Sequence, residues 1–271
     1  MTEISEKFSE LKKRREGALI AYLTVGDPNS KETPRLASAL IEGGADIVEL
    51  GIAFSDPIAD GPTIQSAVGR SLASGTRPLD VFNIARTISE KHNVPLVLMT
   101  YYNPVFRFGL TKFLRLAREA NISGLIIPDL PVEEAVEYRK ECLVASVDTI
   151  FLAAPSTEPS RLKQILDQTS GYLYLISLYG VTGARTTIPD TAINLVKSYH
   201  TSLGGSIPLA VGFGISTPNQ VQRLIEAGAD GVIVGSAFVN VIAQNSHDID
   251  LAVDKLRDLA RELKTATKIV E

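Results

Sequence analysis

Cysteine is nearly missing from this 271-residue chain: Cys142 stands alone, so no intrachain disulfide can form. It falls on a helical pattern away from any strand end, which points to a buried, inert thiol and not to a nucleophile. Histidine is scarce as well. His92, His200 and His247 all fall in helical or helix-flanking stretches, which argues against a histidine-built metal centre or a catalytic triad at a strand end. No lysine lies on a strand pattern either, and that removes the Schiff-base route to carbon–carbon cleavage.

Long apolar runs and strong basic patches are also lacking. The longest apolar run, 231–243, is too short to span a bilayer and contains Asn240. The opening Met1-Thr2-Glu3-Ile4-Ser5-Glu6 is polar and acidic, without the apolar core of a secretory leader. With a single cysteine, a cytoplasmic setting follows. The formal net charge of −4, with Lys12-Lys13-Arg14-Arg15 as the only basic run, argues against nucleic-acid or anionic-membrane partners. No linker or low-complexity tract interrupts 1–271, so one domain is expected.

What is present is a regular alternation. Short β-rich runs at 19–23, 46–50, 95–100, 124–128, 148–152, 172–177, 208–212 and 231–235 are separated by amphipathic helical patterns. The helices are expected at 34–42, 78–92, 111–120, 132–142, 159–168, 189–198, 218–227 and 249–264. Several open on proline, and Gly43 and Gly228 follow two of them, as helix-boundary chemistry favours. Eight strands, each followed by a helix, predict a closed (β/α)8 TIM barrel, with a doubly wound open sheet as the alternative. Ile4, Phe8 and Leu11 are spaced for one helical face, so an extra N-terminal helix should cap the barrel bottom. A short extra helix is expected at 63–73, after the strand-2 loop.

Active sites of such barrels lie at the C-terminal ends of the strands. There the stretch Val48-Glu49-Leu50-Gly51-Ile52-Ala53-Phe54-Ser55-Asp56-Pro57-Ile58-Ala59-Asp60-Gly61 stands out, because a buried strand ends on a carboxylate. An ionised carboxylate in low dielectric needs a partner or changes its pKa. Period-two alternation sets Ile47 and Glu49 on one face and Val48 and Leu50 on the other. Glu49 is thus either one half of an ion pair or a reactive group at the mouth. Asp56-Pro57 also reads as a turn start, and Asp60-Gly61-Pro62-Thr63 as a helix cap. Functionally, Asp60 facing Glu49 would give two carboxylates to divide acid and base roles, or a carboxylate-only Mg²⁺ site.

At the far end, Val211-Gly212-Phe213-Gly214-Ile215-Ser216 and Val234-Gly235-Ser236-Ala237 follow strands seven and eight, where barrels commonly hold phosphate on loops and a helix N-terminus. Gly180-Val181-Thr182-Gly183-Ala184, after strand six, suits a lid over the same group. Tyr174 shares a face with Tyr172 and Ile176, and Tyr22 shares one with Ile20 and Thr24. Either tyrosine is core or wall for a flat apolar ligand.

Together with Asp129-Leu130-Pro131-Val132-Glu133-Glu134, these segments resemble the tryptophan synthase α-subunit family over essentially the whole chain. The resemblance implies retro-aldol cleavage of indole-3-glycerol phosphate to indole and glyceraldehyde 3-phosphate. In that family Glu49 is the general acid–base and Asp60 holds the indole N1–H. Tyr22 and Tyr174 border the indole, while Gly183, Gly212, Phe213, Gly214, Gly235 and Ser236 hold the phosphate and Thr182 closes the loop. It further implies no metal and no cofactor on this chain. The partner would be a β subunit in an αββα heterotetramer, carrying pyridoxal phosphate and meeting this chain around Asp56 and Pro57. A free-standing lyase and a non-catalytic activating subunit are the alternatives. Ala53 stands where the family often has proline, Val68 near a common polar position, and Leu178-Tyr179 replaces an arginine-containing form.

Overall fold

The computed structural model describes residues 2–176 and 188–269. Among these residues nine parallel strands form one sheet: β1 (Ala18–Thr24), β2 (Ile47–Gly51), β3 (Leu96–Met99), β4 (Ile122–Ile126), β5 (Asp148–Ile150), β6 (Leu152–Ala153), β7 (Leu173–Ile176), β8 (Leu209–Gly212) and β9 (Gly231–Val234). Their order is β5-β4-β3-β2-β1-β9-β8-β7-β6. β5 and β6 are two halves of one stave broken at Phe151, and the ring closes where Tyr174 N–H donates to the Phe151 carbonyl and Ser170 N–H to that of Thr149. Eight staves result, the TIM barrel that the alternation predicts, with no free edge inside it.

The helices are α1 (Glu3–Lys13), α2 (Thr33–Glu42), α3 (Pro62–Ala73), α4 (Pro78–Ser89), α5 (Tyr102–Phe108), α6 (Leu110–Glu119), α7 (Val136–Ala145), α8 (Pro159–Gln168), α9 (Asp190–Leu203), α10 (Pro218–Glu226), α11 (Ser236–Gln244) and α12 (Ile249–Thr265). The two expected extras are α1 and α3. Of the rest, α5 and α11 go beyond the predicted set.

Period-two alternation sorts the strands as expected. Leu19, Ala21, Leu23, Val48, Leu50, Leu96 and Leu98 face the helix ring. Ile20, Ile47, Val97, Ile126, Ile150, Tyr172 and Ile233 point inward and share one cluster with Ile4, Phe8 and Leu11 of α1. That helix therefore plugs the barrel floor, each buried side chain stabilising by about 1.5–3 kcal/mol. Cys142 is buried in α7, and burial pushes its thiol up to about 12. Among the described residues no helix is long and apolar enough to cross a membrane.

Several boundaries differ from the sequence expectation, α4 among them, which stops at Ser89 and not at 92; three have a clear physical reason. β4 begins and ends two residues early: Ser123, a weak strand former, is held in place as its Oγ donates to Glu3 of α1 at 2.6 Å. Pro128, lacking an N–H, stays outside it. The 132–142 helix splits into a 3-10 turn, Val132–Glu134, followed by α7. α9 runs on to Leu203, since Tyr199 and Leu203 continue its buried face before Gly204 caps it at φ 54°.

Candidate active site

The βα loops surround a cavity of about 380 Å³ at the C-terminal end of the strands. Tyr22, Met99, Leu152, Tyr174 and Ile233 form its walls and floor, and Asp60, Gly212, Phe213, Gly214, Gly235 and Ser236 stand at its rim. Its apolar body and few polar groups suit a flat aromatic ligand bearing a charged tail. Thr182 and Gly183 lie outside the described residues.

Glu49 pairs in register with Tyr22 on one side and Val97 on the other, is wholly buried, and does not line the cavity. Its Oε1 accepts a 2.5 Å hydrogen bond from the Tyr172 hydroxyl, while its Oε2 has no hydrogen-bond partner among the described residues. Burial pushes the carboxyl up to about 7; the Tyr172 bond opposes that shift and does not cancel it. Such a group holds a proton near neutral pH and can also release it. The ion-pair reading of Glu49 finds no support, since no cation approaches it among the described residues.

Asp60 sits at the start of α3. Its Oδ2 accepts from the Tyr101 hydroxyl at 3.0 Å, and that oxygen in turn accepts from Ala59 N–H at 3.0 Å. Burial raises the Asp60 carboxyl as well, against the Tyr101 bond. The cap reading of Asp60 also fails: Gly61 is the N-cap, without a side-chain cap bond. Tyr101 is a site residue that the sequence reading missed. No local signal marks it, because its partner lies 41 residues away. Burial and then the carboxylates of Asp60 and Glu49 keep the Tyr22 hydroxyl protonated, and it shares a 3.2 Å hydrogen bond with Thr24.

The glycine pair after β8 divides in two. Gly214 has φ 70°, a left-handed turn that favours glycine. Gly212 instead makes room for Tyr174: a Cβ there would lie 2.6 Å from that ring. Across the rim, Gly235 is the N-cap of α11 and Ser236 its first residue, with no side chain capping the helix. Both residues line the cavity, and the first N–H groups of a helix have no partner within it, which is the chemistry by which helix N-termini attract anions. Asp56 is exposed and accepts from Ser55 Oγ at 2.6 Å, while Pro57 is half-buried. Among the described residues no group of three His, Cys, Asp or Glu side chains could hold a metal ion.

The family model described as tryptophan synthase alpha chain matches residues 8–268. The chain is 50% identical over 266 residues to a tryptophan synthase alpha chain of Methanosarcina barkeri, covering 98% of this chain and 97% of that protein. It is 51% identical over 263 residues to its counterpart in Methanosarcina mazei, covering 97% and 93%. Among solved structures, a Mycobacterium tuberculosis tryptophan synthase chain superposes with a TM-score of 0.90 at 35% identity, over 99% of both chains. A tryptophan synthase α-subunit from Pyrococcus furiosus gives 0.85 at 41% identity, over 92% of this chain and 98% of that one. With a barrel, a carboxylate-bearing mouth and full-length matches in agreement, the chain belongs to the tryptophan synthase alpha chain family.

Proposed function

We propose that Glu49 and Asp60 carry out this family's lyase reaction, the cleavage of indole-3-glycerol phosphate to indole and glyceraldehyde 3-phosphate, by proton transfer alone. The observation that carries the reading is Glu49: a buried carboxyl titrating near neutrality, with one oxygen unpartnered among the described residues, beside an apolar cavity. The indole ring lies between Tyr22 and Tyr174, with its N1–H on the Asp60 carboxylate. The phosphate sits on the α11 N-terminus and the Gly212–Phe213–Gly214 turn.

Glu49 turns from Tyr172 into the cavity and delivers its proton to C3 of the indole. The ring becomes an iminium-like cation, which Asp60 stabilises through N1–H. The bond from C3 to the glycerol carbon then breaks, its electron pair returning to the ring. The hydroxyl on that carbon gives its proton to the Glu49 carboxylate and becomes the aldehyde. The ring is its own electron sink, so no Schiff base is needed.

Two measurements follow. Asp60→Asn removes the negative charge that stabilises the cation and should lower kcat by at least ~10²-fold, the scale of one positioned electrostatic group. A variant that binds substrate and cleaves it at the normal rate overturns the role. The kcat/KM profile, which reports the free enzyme, should fall as pH rises through about 7, where Glu49 loses its proton. Tyr172→Phe removes the bond that lowers that pKa, so the falling limb should move to higher pH. A limb that stays in place would separate it from Glu49.

For a partner, the mouth presents an apolar surface. Ile58 is 80% exposed on the β2–α3 loop, Phe106 67% on α5 and Val136 68% on α7, all on connections following successive strands. Exposed groups of this size, Ile58 directly after Asp56 and Pro57, suit a protein interface. We assign it to a β subunit carrying pyridoxal phosphate, in an αββα assembly in the cytoplasm, with no cofactor on this chain.

A further inference from the structure

α3 begins two residues after Asp60, and its apolar contacts with the barrel are small, with Ile64 only partly buried against Tyr22 and Val239. Its buried residues are Ala67, Val68 and Ser71, and Ala67 packs with Tyr22 and Val239 of α11. The firm attachments lie in its second half and are polar. Arg70 Nε and Nη2 donate to the two oxygens of Asp27 at 2.7 Å each, and the Asp27 side chain is wholly buried. Next to it, Ser71 Oγ donates to the Val25 carbonyl at 2.6 Å, and Ser74 Oγ to that of Gly26 at 3.2 Å. Gly26, at φ 89°, leaves no room for a Cβ, which would lie 2.2 Å from Thr76 Oγ1. The loop after β1 and the second half of α3 are thus bolted together.

Arg70 stands about 12 Å along the axis from the start of α3, at ~1.5 Å per residue. It does not line the cavity. Its pair nevertheless joins the parts that define the mouth: β1, which bears Tyr22 and Thr24; α3, whose first turn follows Asp60; and α11, packed against Ala67. Gln65, one turn into α3, donates through Nε2 to the Asp60 carbonyl at 2.7 Å, so a shift of the helix is passed directly to that residue. A bidentate guanidinium–carboxylate pair fixes direction as well as distance, which an apolar contact between two helices does not. Among the described residues Arg70 and Asp27 have no other side-chain ion partner.

We propose that Arg70 is a positioning residue: by its fork on buried Asp27 it sets the height and roll of α3 over the barrel mouth, and thereby where the Asp60 carboxylate meets the ring N–H. The proposal rests on the role given to Asp60 above.

The test is a double-mutant cycle on the full chain, read as single-turnover kcat and substrate Kd. Arg70→Lys keeps the charge but loses the fork. It should lower kcat by ~10-fold with Kd changed less than ~3-fold, a loss of transition-state contact, not of binding. In an Asp60→Asn background the same Arg70→Lys change should alter kcat by less than ~2-fold, because the carboxylate being positioned is gone. Equal losses in both backgrounds, or a lowered melting temperature with unchanged kcat, overturn the proposal. If Asp60→Asn alone leaves kcat intact, it is the Asp60 role that fails, and the two failures are told apart. Should Arg70→Lys not fold, Asp27→Asn/Arg70→Gln removes both charges of the pair and enters the same cycle with the same criteria.

Discussion

Glu49→Gln is expected to lower kcat for indole-3-glycerol phosphate cleavage by at least ~10²-fold, the usual scale for a general acid–base group, while making the folded chain more stable above neutral pH. Both effects arise from one carboxyl. Its ordinary pKa is 4.5, and burial raises it to about 7 in the folded chain. Between those values the folded form keeps a proton that the unfolded chain releases. The stabilising contribution is therefore complete below about 4.5, shrinks as pH rises, and is lost above about 7. Holding the charged form buried at pH 8 then costs up to about 3 kcal/mol, at ~1.4 kcal/mol per pKa unit. Glutamine cannot ionise, and its amide oxygen still accepts from Tyr172. Indole release and urea-unfolding midpoints at pH 4 and pH 8 check the pair of effects. The variant should gain stability at pH 8 and not at pH 4. Near-normal turnover would sink the mechanism, and an unchanged midpoint at pH 8 would sink the burial argument.

Gly212→Ala should lower kcat/KM by about 10- to 100-fold, on the scale of ~1–3 kcal/mol for overpacking a tight contact. The new Cβ would lie 2.6 Å from Tyr174 Cε2 and 2.7 Å from its hydroxyl oxygen. Gly212 is held in the sheet opposite Ile176, two residues beyond Tyr174, so the backbone has little freedom to retreat. The ring must tilt into the cavity or β8 must shift, and either displaces the wall or the phosphate turn. The cause is tested by a second substitution. Tyr174→Leu by itself removes part of the aromatic wall, yet in the Gly212→Ala background it should recover part of the lost kcat/KM. A Gly212→Ala chain of full activity, or a loss that Tyr174→Leu only deepens, would refute the steric account.

The features legible in the sequence share one property: each depends on a local pattern. Period two placed Glu49 inside the barrel with Ile47, and spacing on one helical face placed Ile4, Phe8 and Leu11 at the floor. The helical pattern at 63–73 placed α3 to within one residue of its start at Pro62. The misread features depend on distant contacts. Ser123 looks poor as a strand residue until Glu3 of α1 holds it. Gly212 carries a second constraint that no local pattern shows, since Tyr174 fills the space beside it.

What the sequence by itself determined is the frame and its reactive groups: an eight-stave barrel, a carboxylate closing the second strand, another on the loop beyond it, and glycine turns at the opposite rim. Hydrophobic periodicity and turn chemistry are local, so the order of residues carries them in full. Only the tertiary structure decided how those groups are tuned. Tyr172, 123 residues from Glu49, hydrogen-bonds it, Tyr101 steadies Asp60, and the Asp27–Arg70 pair anchors the helix behind it. Desolvation and hydrogen bonding are set by whatever neighbours folding brings within a few ångströms. Those neighbours come from every part of the chain, and no window of sequence contains them.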